Sequence, residues 1–393
     1  MAEPAVKALR QRASADEEAQ VLDTIARWVE REVRPIARKF DQADEYPADL
    51  VAQMRELGLF GATIGQEWGG LGLSAGTYAQ IVATIAEAWM APTGIFNSHL
   101  IMAACVERHG TDEQKTHFLP RFATGELRGG IGLTEPDAGT DLQGIRMTAR
   151  RDGHDYVLKG TKTWITNGVY GTCFAILAKT DTEAEPRHQG MSMFLAEKGP
   201  GFDVGRKLRK LGYRSIDSAE LVFDDYRVPA SRLVGGAEGR GFQHAVGGLE
   251  LGRINVAARG VGLARAALND ALRYSQQRKT FGKPICQHQA IQLKLADMAT
   301  QVEGSKKLIE SAARMYDRGE RCDLEAAMAK LAGSEAGVFC SQEAMRIFGG
   351  YSLSVEYEIE RFYRDSMLMV IGEGTNEILR QVIAKQLVGR YKI

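Results

Sequence analysis

The stretch Gly132-Leu133-Thr134-Glu135-Pro136-Asp137-Ala138-Gly139-Thr140-Asp141-Leu142-Gln143-Gly144 lies where the hydrophobic pattern of the chain changes. Before it, from about residue 17 to 127, apolar residues recur at three- and four-residue steps, which predicts helices. After it come short apolar segments bounded by glycine or charge, such as 174–177 and 191–195, which predict strands. The stretch therefore opens a β region that follows a helical one.

The last part of the chain, from about residue 243 onward, is rich in alanine and again helical in pattern. The order α, β, α lacks the alternation of strands and helices that builds a parallel sheet. At 393 residues the chain is long enough for about two or three domains. We expect an α+β multidomain fold, mainly α, with an N-terminal α-helical domain (1–128), a middle β domain (129–242) and a C-terminal α-helical bundle domain (243–393).

Composition argues against two classes of protein. Lysine plus arginine equals aspartate plus glutamate, 50 against 50, so a broadly basic face for nucleic acid is not expected. No apolar stretch approaches the roughly 20 residues that span a bilayer, so no membrane span is expected. Residues 1–20 lack the apolar core of a secretory signal and are not typical of a transit peptide.

The cysteines and histidines give no indication of a disulfide framework or a metal site. The five cysteines have no CxxC spacing and the seven histidines are dispersed, so we predict no metal and a cytoplasmic location. The string Gly260-Val261-Gly262 has Arg265 where a dinucleotide-binding motif would have its third glycine. We therefore interpret this string as a site of helix packing.

Three loop or strand segments could bind a flat, phosphorylated cofactor. The loop 132–144 offers hydroxyls and backbone donors to a heterocycle or a phosphate, or it is an ordinary Asx-type turn. The segment 164–168 offers Trp164 as a cover for a flat ring, or Trp164 is a core residue. The segment 278–282 could meet a diphosphate and an adenine, or it could simply end a helix.

A single carboxylate, Glu373, interrupts an apolar run near the end of the chain. It follows the segment 367–371 and lies between Gly372 and Gly374, which leave room for a ligand to approach. In a dry environment a carboxylate is destabilised as an anion and becomes a stronger base. The alternative is a turn between two helices in which Glu373 faces water.

Together these segments resemble one family. The string 132–144 is similar at every position to the first signature of the acyl-CoA dehydrogenases. Further motifs similar to that family follow in family order and spacing, at 164–168, 278–282, Gln289, 346–350, 363–365 and 373–377. The resemblance covers the chain from about residue 20 and implies a helical N-terminal domain, a β-barrel-like middle domain and a C-terminal four-helix bundle.

The resemblance implies a flavoprotein that binds FAD. The residues implied to hold the isoalloxazine ring are Ile131, Leu133, Thr134, Gly139, Thr140, Trp164, Ile165 and Thr166. The residues implied to hold the rest of FAD, partly from a neighbouring subunit, are Arg278, Phe281, Gln289, Arg346, Gly349, Gly350, Thr375 and Glu377. Shared binding implies a homotetramer built as a dimer of dimers.

The resemblance also implies α,β-dehydrogenation of an acyl-CoA thioester to the trans-2-enoyl-CoA. Glu373 would remove the α-proton, and the β-hydrogen would leave as hydride to flavin N5. The N–H of Glu373 and a ribityl hydroxyl would polarise the thioester carbonyl. The residues implied to contact the substrate are Thr140, Glu250, Arg253 and Gly374. Electrons would pass to an electron-transfer flavoprotein, in β-oxidation of fatty acids or in breakdown of branched-chain amino acids.

The sequence departs from the family at positions that bear on the acyl group. Some members carry the base immediately before the arginine matched by Arg253, where this chain has Gly252. Several straight-chain enzymes have tyrosine where this chain has Gly372. We therefore expect a wide space that tolerates branched or bulky acyl groups. No arginine or lysine lies between Trp89 and Glu107, which argues against a glutaryl-type dicarboxylate.

Departures in the implied FAD segment leave binding plausible. Arg346 stands where glutamine is common, and Ser352 where glycine often follows the glycine pair. An alternative function on the same fold is a flavin oxidase or monooxygenase that reacts with oxygen. A non-catalytic nucleic-acid-binding relative is a further alternative, which the balanced charge disfavours.

Overall fold

The computed structural model describes residues 11–391, so the first half of the segment 1–20 lies outside the described residues. The chain begins with helices whose starts are set by side-chain caps. Ser14 and Thr111 each form a capping box, with Glu17 and Gln114 respectively. The N-terminal helices are α1 (Ala15–Trp28), α2 (Ala37–Ala43), α3 (Ala48–Glu56), α4 (Ala75–Ala88), α5 (Ala91–His109) and α6 (Asp112–Ala123).

The middle of the chain forms one mostly antiparallel sheet. Its strands are β1 (Gly129–Gly132), β2 (Thr148–Asp152), β3 (Asp155–Thr166), β4 (Cys173–Lys179), β5 (Met191–Glu197), β6 (Phe202–Lys207) and β7 (Ser218–Pro229). Their order is β1-β4-β2-β3-β7-β6, with β5 paired to β4. β1 runs parallel to β4, while the β3–β7 and β6–β7 pairs are antiparallel. Aromatic and aliphatic side chains on one face of this sheet make a second core, separate from that of the helices.

The C-terminal part is a bundle of long helices. They are α7 (Gly241–Gln277), α8 (Gln289–Asp317), α9 (Asp323–Phe348), α10 (Ile359–Ile371) and α11 (Asn376–Arg390), with a small hairpin of β8 (Lys279–Thr280) and β9 (Lys283–Pro284). α7 and α9 cross at glycines, since a Cβ on Gly260 would lie 2.2 Å from the Gly333 carbonyl oxygen. A Cβ on Gly262 would lie 2.5 Å from the Ala83 carbonyl oxygen. The interpretation of 260–262 as helix packing is confirmed.

The predicted fold class is confirmed: helices, then a β half-barrel, then helices. The helical core is continuous from the first helices to the C-terminal bundle, and α7 packs against α4, α5, α8, α9 and α10. Position 373, between α10 and α11, therefore lies where both helical parts meet. Among residues 11–391, no helix combines the length and apolarity needed to cross a bilayer.

Candidate active site

Glu373 is held in a short connection between α10, which ends at Ile371, and α11, which begins at Asn376. Its backbone has φ +56°, a left-handed conformation that is uncommon outside glycine and often marks a functional site. The buried ammonium of Lys330 donates to the Gly374 carbonyl oxygen at 2.8 Å and to Asn376 Oδ1 at 2.9 Å. Lys330 therefore fixes the connection from α9.

The Glu373 carboxylate points into the protein, where its side chain is 18% exposed. Asn97 of α5 donates through Nδ2 to Oε1 at 2.7 Å, and Arg259 of α7 lies 3.5 Å from the same oxygen. Behind Asn97, Asn255 donates to the Tyr78 hydroxyl at 2.7 Å, and that hydroxyl donates to Asn97 Oδ1 at 3.2 Å. Oε2 has no hydrogen-bond partner within the described chain. One carboxylate oxygen is thus anchored and the other is free for chemistry.

The environment of Glu373 suits a base. Burial raises the pKa of the Glu373 carboxyl above its ordinary value, and this effect outweighs the opposing influence of Arg259, Asn97, Lys330 and Arg253. A carboxylate with a raised pKa is a better proton acceptor at neutral pH. The alternative in which Glu373 faces water in a turn is wrong.

The two glycines that depart from the family have different surroundings. A Cβ on Gly252 would lie 2.0 Å from Glu373 Oε2, so the carboxylate occupies the space that a side chain there would need. A Cβ on Gly372 would instead lie nearest to the carbonyl oxygen of Leu368, at 3.3 Å, within the helix that Gly372 ends. Only Gly252 directly adjoins the carboxylate, while Gly372 faces its own helix.

The loop 132–144 is shaped by a buried ion pair. Glu135 accepts from Lys162 Nζ at 2.8 Å and from the N–H groups of Arg146 and Met147 at 2.6 and 3.0 Å. Burial lowers the pKa of Lys162 to about 8, an effect that Glu135 opposes. Beyond this anchor, Gly139 and Thr140 are exposed. The loop is therefore rigid at its base and accessible at its tip, as a binding loop requires.

Trp164 is turned out of the sheet by an irregularity in β3. The pairing of β3 with β7 shifts register between Lys162 and Ile165, and Trp164 has φ +61°. Its side chain is 58% exposed, so the alternative of a core tryptophan is wrong. Bulges near active sites commonly re-aim a side chain in this way. Ile165 is buried in the sheet core, whereas Thr166 ends the strand and is partly exposed.

Helix α5 connects the base to the strand β1. Asn97 binds Glu373, and the next residue, Ser98, packs on β1, where a Cβ on Gly130 would lie 2.2 Å from Ser98 Oγ. The same Cβ would lie 3.3 Å from the Thr166 carbonyl oxygen. Ile131 lies within β1, and the motif loop follows this strand directly. Helix α5 therefore lies next to three parts of the candidate site. They are the start of the implied flavin-ring segment, the end of β3 and Glu373.

The implied substrate residues Glu250 and Arg253 lie near the start of α7. Glu250 is 3.6 Å from Arg108, whose guanidinium lies over the Tyr316 ring at 4.8 Å. Arg253 is buried, and burial lowers the pKa of its guanidinium. In the part of the chain that the structure describes, Arg253 Nε has no partner. A buried, incompletely paired guanidinium at this end of the site suits an anionic or polar ligand.

Three of the remaining implied FAD residues, Arg278, Gly349 and Gly350, line a separate cavity. A cavity of about 780 Å³ is lined by Arg278, Phe348, Gly349, Gly350 and Tyr351, among others. Phe281 is 95% exposed at the tip of the small hairpin, and Gln289 begins α8. Arg346 pairs with Glu343. Thr375 caps α11, and Glu377 is exposed in its first turn. Among residues 11–391, no hydrogen bond or ion pair joins the Arg278–Gly350 group to Glu373.

Sequence reasoning missed the residues that position the base. They are Asn97, Lys330, Arg259, Asn255 and Tyr78. A signal existed on α7, because Gly252, Asn255 and Arg259 share one face of a helix that is otherwise alanine-rich and buried. Arg259 lies outside the stretch 89–107, where the sequence was expected to place a cation for a dicarboxylate. Within the described chain, no group of three or more His, Cys, Asp and Glu residues is placed to hold a metal.

Comparison with known proteins gives matches along the chain. Residues 15–126, 130–226 and 239–388 match the acyl-CoA dehydrogenase N-terminal, middle and C-terminal domains, respectively. An acyl-CoA dehydrogenase of Bacillus subtilis is 39% identical over 364 residues, which cover 92% of this chain and 95% of that protein.

Solved structures agree closely with the fold. Butyryl-CoA dehydrogenase from Megasphaera elsdenii superposes with a TM-score of 0.92 at 35% identity, over 96% of this chain and 99% of that chain. A chain from work on the electron transferring flavoprotein of Acidaminococcus fermentans gives the same TM-score, identity and coverage.

Proposed function

The chain belongs to the acyl-CoA dehydrogenase family, and from that premise we propose that it dehydrogenates an acyl-CoA thioester between the α and β carbons, with Glu373 as the base. The observation that carries this proposal is the buried Glu373 carboxylate, with one oxygen held by Asn97 and the other unpaired within residues 11–391. Butyryl-CoA dehydrogenase, a protein similar over almost its whole length, is named for a short acyl thioester, which supports a short acyl substrate here.

The residues of this chain fit bound FAD. An exposed Trp164 beside an accessible loop tip provides a flat apolar face, and Arg278 with Gly349 and Gly350 lines a cavity large enough for part of a dinucleotide. We assign the flavin ring to the group on β1, its following loop and the end of β3. Arg278, Phe281, Gln289, Arg346, Gly349, Gly350, Thr375 and Glu377 would hold the rest. When bound, FAD supplies the acceptor for the β-hydrogen and its electron pair.

The chain's own groups account for the proton and the carbonyl. Glu373 Oε2 would accept the α-proton, while Asn97 keeps Oε1 in place. No protein acceptor is found among residues 11–391 for the N–H of Glu373, so this donor is available to the thioester oxygen as the enolate develops. Gly374, with φ +94°, leaves that side open to the thioester. Thr140, Glu250 and Arg253 would lie along the CoA arm.

We propose a homotetramer and a flavoprotein electron acceptor. The cavity at Arg278 lies among exposed apolar residues, which is typical of a surface that another subunit covers. These residues are Phe281, Leu293, Tyr351, Leu353 and Val355. The similarity to a chain from work on an electron transferring flavoprotein supports an electron-transfer flavoprotein as the partner. The domain limits 1–128, 129–242 and 243–393 and the cytoplasmic location remain proposals; α6 ends at Ala123 and α7 begins at Gly241.

Anaerobic flavin bleaching tests the function. The purified protein should be yellow, and a panel of acyl-CoA thioesters should bleach it in the absence of oxygen. A protein that takes up no FAD, or a flavin that no thioester bleaches, contradicts the proposal. Rapid oxygen consumption with peroxide release during turnover would instead identify the oxidase alternative. A salt-sensitive shift of labelled DNA at low micromolar protein would favour the nucleic-acid-binding alternative.

A further inference from the structure

Arg259 is a buried cation with weak partners. Its side chain is 4% exposed, yet its contacts are long: NH2 lies 3.5 Å from Glu373 Oε1, and NH1 donates to the Tyr213 hydroxyl at 3.4 Å. Nε has no partner within the described residues. Charge-assisted hydrogen bonds are normally about 2.7–2.9 Å long. The guanidinium therefore has unused donors inside the protein.

Two other inward-facing cations of this protein are better paired. Lys162 meets Glu135 at 2.8 Å, and Arg364 meets Asp41 at 2.6 Å. Burying a charge is costly unless a well-placed opposite charge and hydrogen bonds compensate. Arg259 shares its carboxylate, Glu373, with the proposed base, which must be free to take a proton. Within the described residues, Arg259 therefore keeps donor capacity that no protein acceptor uses.

The position of Arg259 on α7 indicates where it would lie relative to a bound acyl group. Gly252 and Arg259 lie on one face of α7 and are about 10 Å apart along its axis, at 1.5 Å per residue. Glu373 Oε2 adjoins Gly252, and Oε1 faces Arg259. Glu250 and Arg253, the proposed CoA contacts, lie toward the start of the helix. An acyl group that enters from that end therefore passes the base before it meets Arg259.

Tyr213 lies beside the far end of this path. A Cβ on Gly94 of α5 would lie 1.2 Å from the Tyr213 hydroxyl, so the glycine admits the phenol between α5 and α7. The hydroxyl accepts from Arg259, and the Tyr213 N–H donates to Asp365. The phenol and its backbone are thereby held in place. Sites for acyl groups are usually lined with apolar side chains. Arg259 and Tyr213 together would make the far end of this site polar.

Resting on the proposed function, we propose that Arg259 binds a second carboxylate on the acyl group, so that the preferred substrates are short dicarboxylyl-CoA thioesters. The 3.5 Å separation of Arg259 from the base sets the length, because the base must also reach the α carbon. One or two carbons would separate the second carboxylate from the α carbon, as in succinyl- and glutaryl-CoA.

The chemistry balances with FAD as oxidant. One C–H bond breaks at the α carbon and its proton goes to Glu373. One C–H bond breaks at the β carbon, its hydrogen and electron pair go to FAD, and a C=C bond forms. The second carboxylate is unchanged. By pairing with Arg259 it releases Glu373 from that cation, while Asn97 still holds Oε1.

Substitution of Arg259 tests the inference. In the wild-type holoenzyme, glutaryl- or succinyl-CoA should bleach the flavin with a higher kcat/KM than butyryl-CoA. Arg259→Met should reduce kcat/KM for the dicarboxylyl thioester by about 10²-fold or more beyond any loss for butyryl-CoA, which is the usual scale for a lost buried charge pair. Arg259→Lys should restore part of the loss. Arg265→Met is the matched control, because Arg265 is on the same helix but pairs with Glu87.

A binding measurement separates recognition from turnover. In the Glu373→Gln holoenzyme, titration calorimetry with glutaryl-CoA and butyryl-CoA should show that Arg259→Met weakens only glutaryl-CoA. Equal losses for both thioesters would assign Arg259 a merely structural role and overturn the inference. If butyryl-CoA bleaches the wild-type flavin faster than either dicarboxylyl thioester, the inference fails while the proposed function stands. If no thioester bleaches the wild-type flavin, both the proposed function and the inference are wrong.

Discussion

The carboxylate of Glu373 packs directly on the backbone of Gly252: a Cβ at position 252 would lie 2.0 Å from Oε2. The two residues are far apart in sequence, yet the glycine defines where the base can be. Asn97 of α5 holds Oε1, and Oε2 is the oxygen nearest to Gly252. The space beside Gly252 is therefore part of the proposed site of proton transfer.

Gly252→Ala should slow the reaction with little effect on folding. The new methyl group would displace the end of a flexible side chain, which costs little stability, but a displacement of about 1 Å at the base can cost about 10²-fold in rate. We expect kcat to fall by about 10–10²-fold with the melting temperature nearly unchanged. Gly372→Ala is the control, since its Cβ would meet Leu368 and not the carboxylate. A normal kcat for Gly252→Ala would show that the base works from elsewhere.

Glu373→Gln should abolish proton abstraction and preserve the site. The amide keeps the shape of the carboxyl but cannot accept the α-proton, so bleaching by any thioester should slow by at least about 10²–10⁴-fold. Flavin absorbance and thioester binding by calorimetry should persist. Bleaching at the wild-type rate would exclude Glu373 as the base.

The same substitution should stabilise the protein at neutral pH. Because burial raises the folded-state pKa of Glu373, ionisation of this group disfavours folding once the pH exceeds its ordinary value of 4.5. Thermal melts of Glu373→Gln should show a higher melting temperature than wild type at pH 7. The difference should shrink as the pH falls toward 4.5, where the wild-type carboxyl is protonated when folded. A lower melting temperature for the variant at pH 7 would contradict the raised pKa.

Asn97→Leu should shift the pH dependence of the reaction. The Asn97 amide stabilises the ionised carboxylate and lowers the pKa of Glu373, so its removal should raise that pKa further. The rising acid limb of kcat/KM against pH should move to higher pH. Asn255→Leu is the control and should shift the acid limb less, because Asn255 acts on Asn97 only through Tyr78. An unmoved or lowered limb in Asn97→Leu would contradict this role.

Lys330→Met should loosen the connection that carries the base. The substitution leaves the Gly374 carbonyl and Asn376 Oδ1 without their buried donor, which should cost about 1–3 kcal/mol in the free energy of unfolding. We also expect kcat to fall by about 10-fold or more, since the base is less well positioned. Lys307→Met, at an exposed pair with Glu310, should change the free energy of unfolding by less than about 0.5 kcal/mol. Equal unfolding energies for the two variants would refute the role of Lys330.

Much of the fold and the buried position of the proposed base could be predicted from the sequence. Periodicity alone separated the helical, β and helical parts, because apolar spacing follows secondary structure directly. The apolar neighbours and flanking glycines of Glu373 made it a candidate beside the alternative of a solvent-facing turn, and the family resemblance selected it as the base. The structure shows that Glu373 is largely buried. The interpretation of Gly260 as a packing residue is also confirmed, since α9 approaches it through Gly333.

The partners of the base could not be predicted because they depend on tertiary structure. Asn97 is 276 residues from Glu373 and carries no local signal of its role. Arg259 lies in a helix whose alanines indicate packing, and nothing in its immediate neighbours shows which carboxylate it faces. The outward turn of Trp164 depends on a register shift against β7, and a tryptophan in a strand pattern more often belongs to the core.

Asn97 and Ser98 are consecutive residues of α5, and each contacts one side of the site. Asn97 binds Glu373, and Ser98 packs on β1. Their Cα atoms are about 3.8 Å apart, so the contacts to Glu373 and to β1 come from the two ends of a single peptide unit. The separation of Glu373 from β1 thus depends on two non-covalent contacts of one helix turn, a hydrogen bond at Asn97 and a packing contact at Ser98. A change that displaces this turn of α5 would disturb both contacts at once.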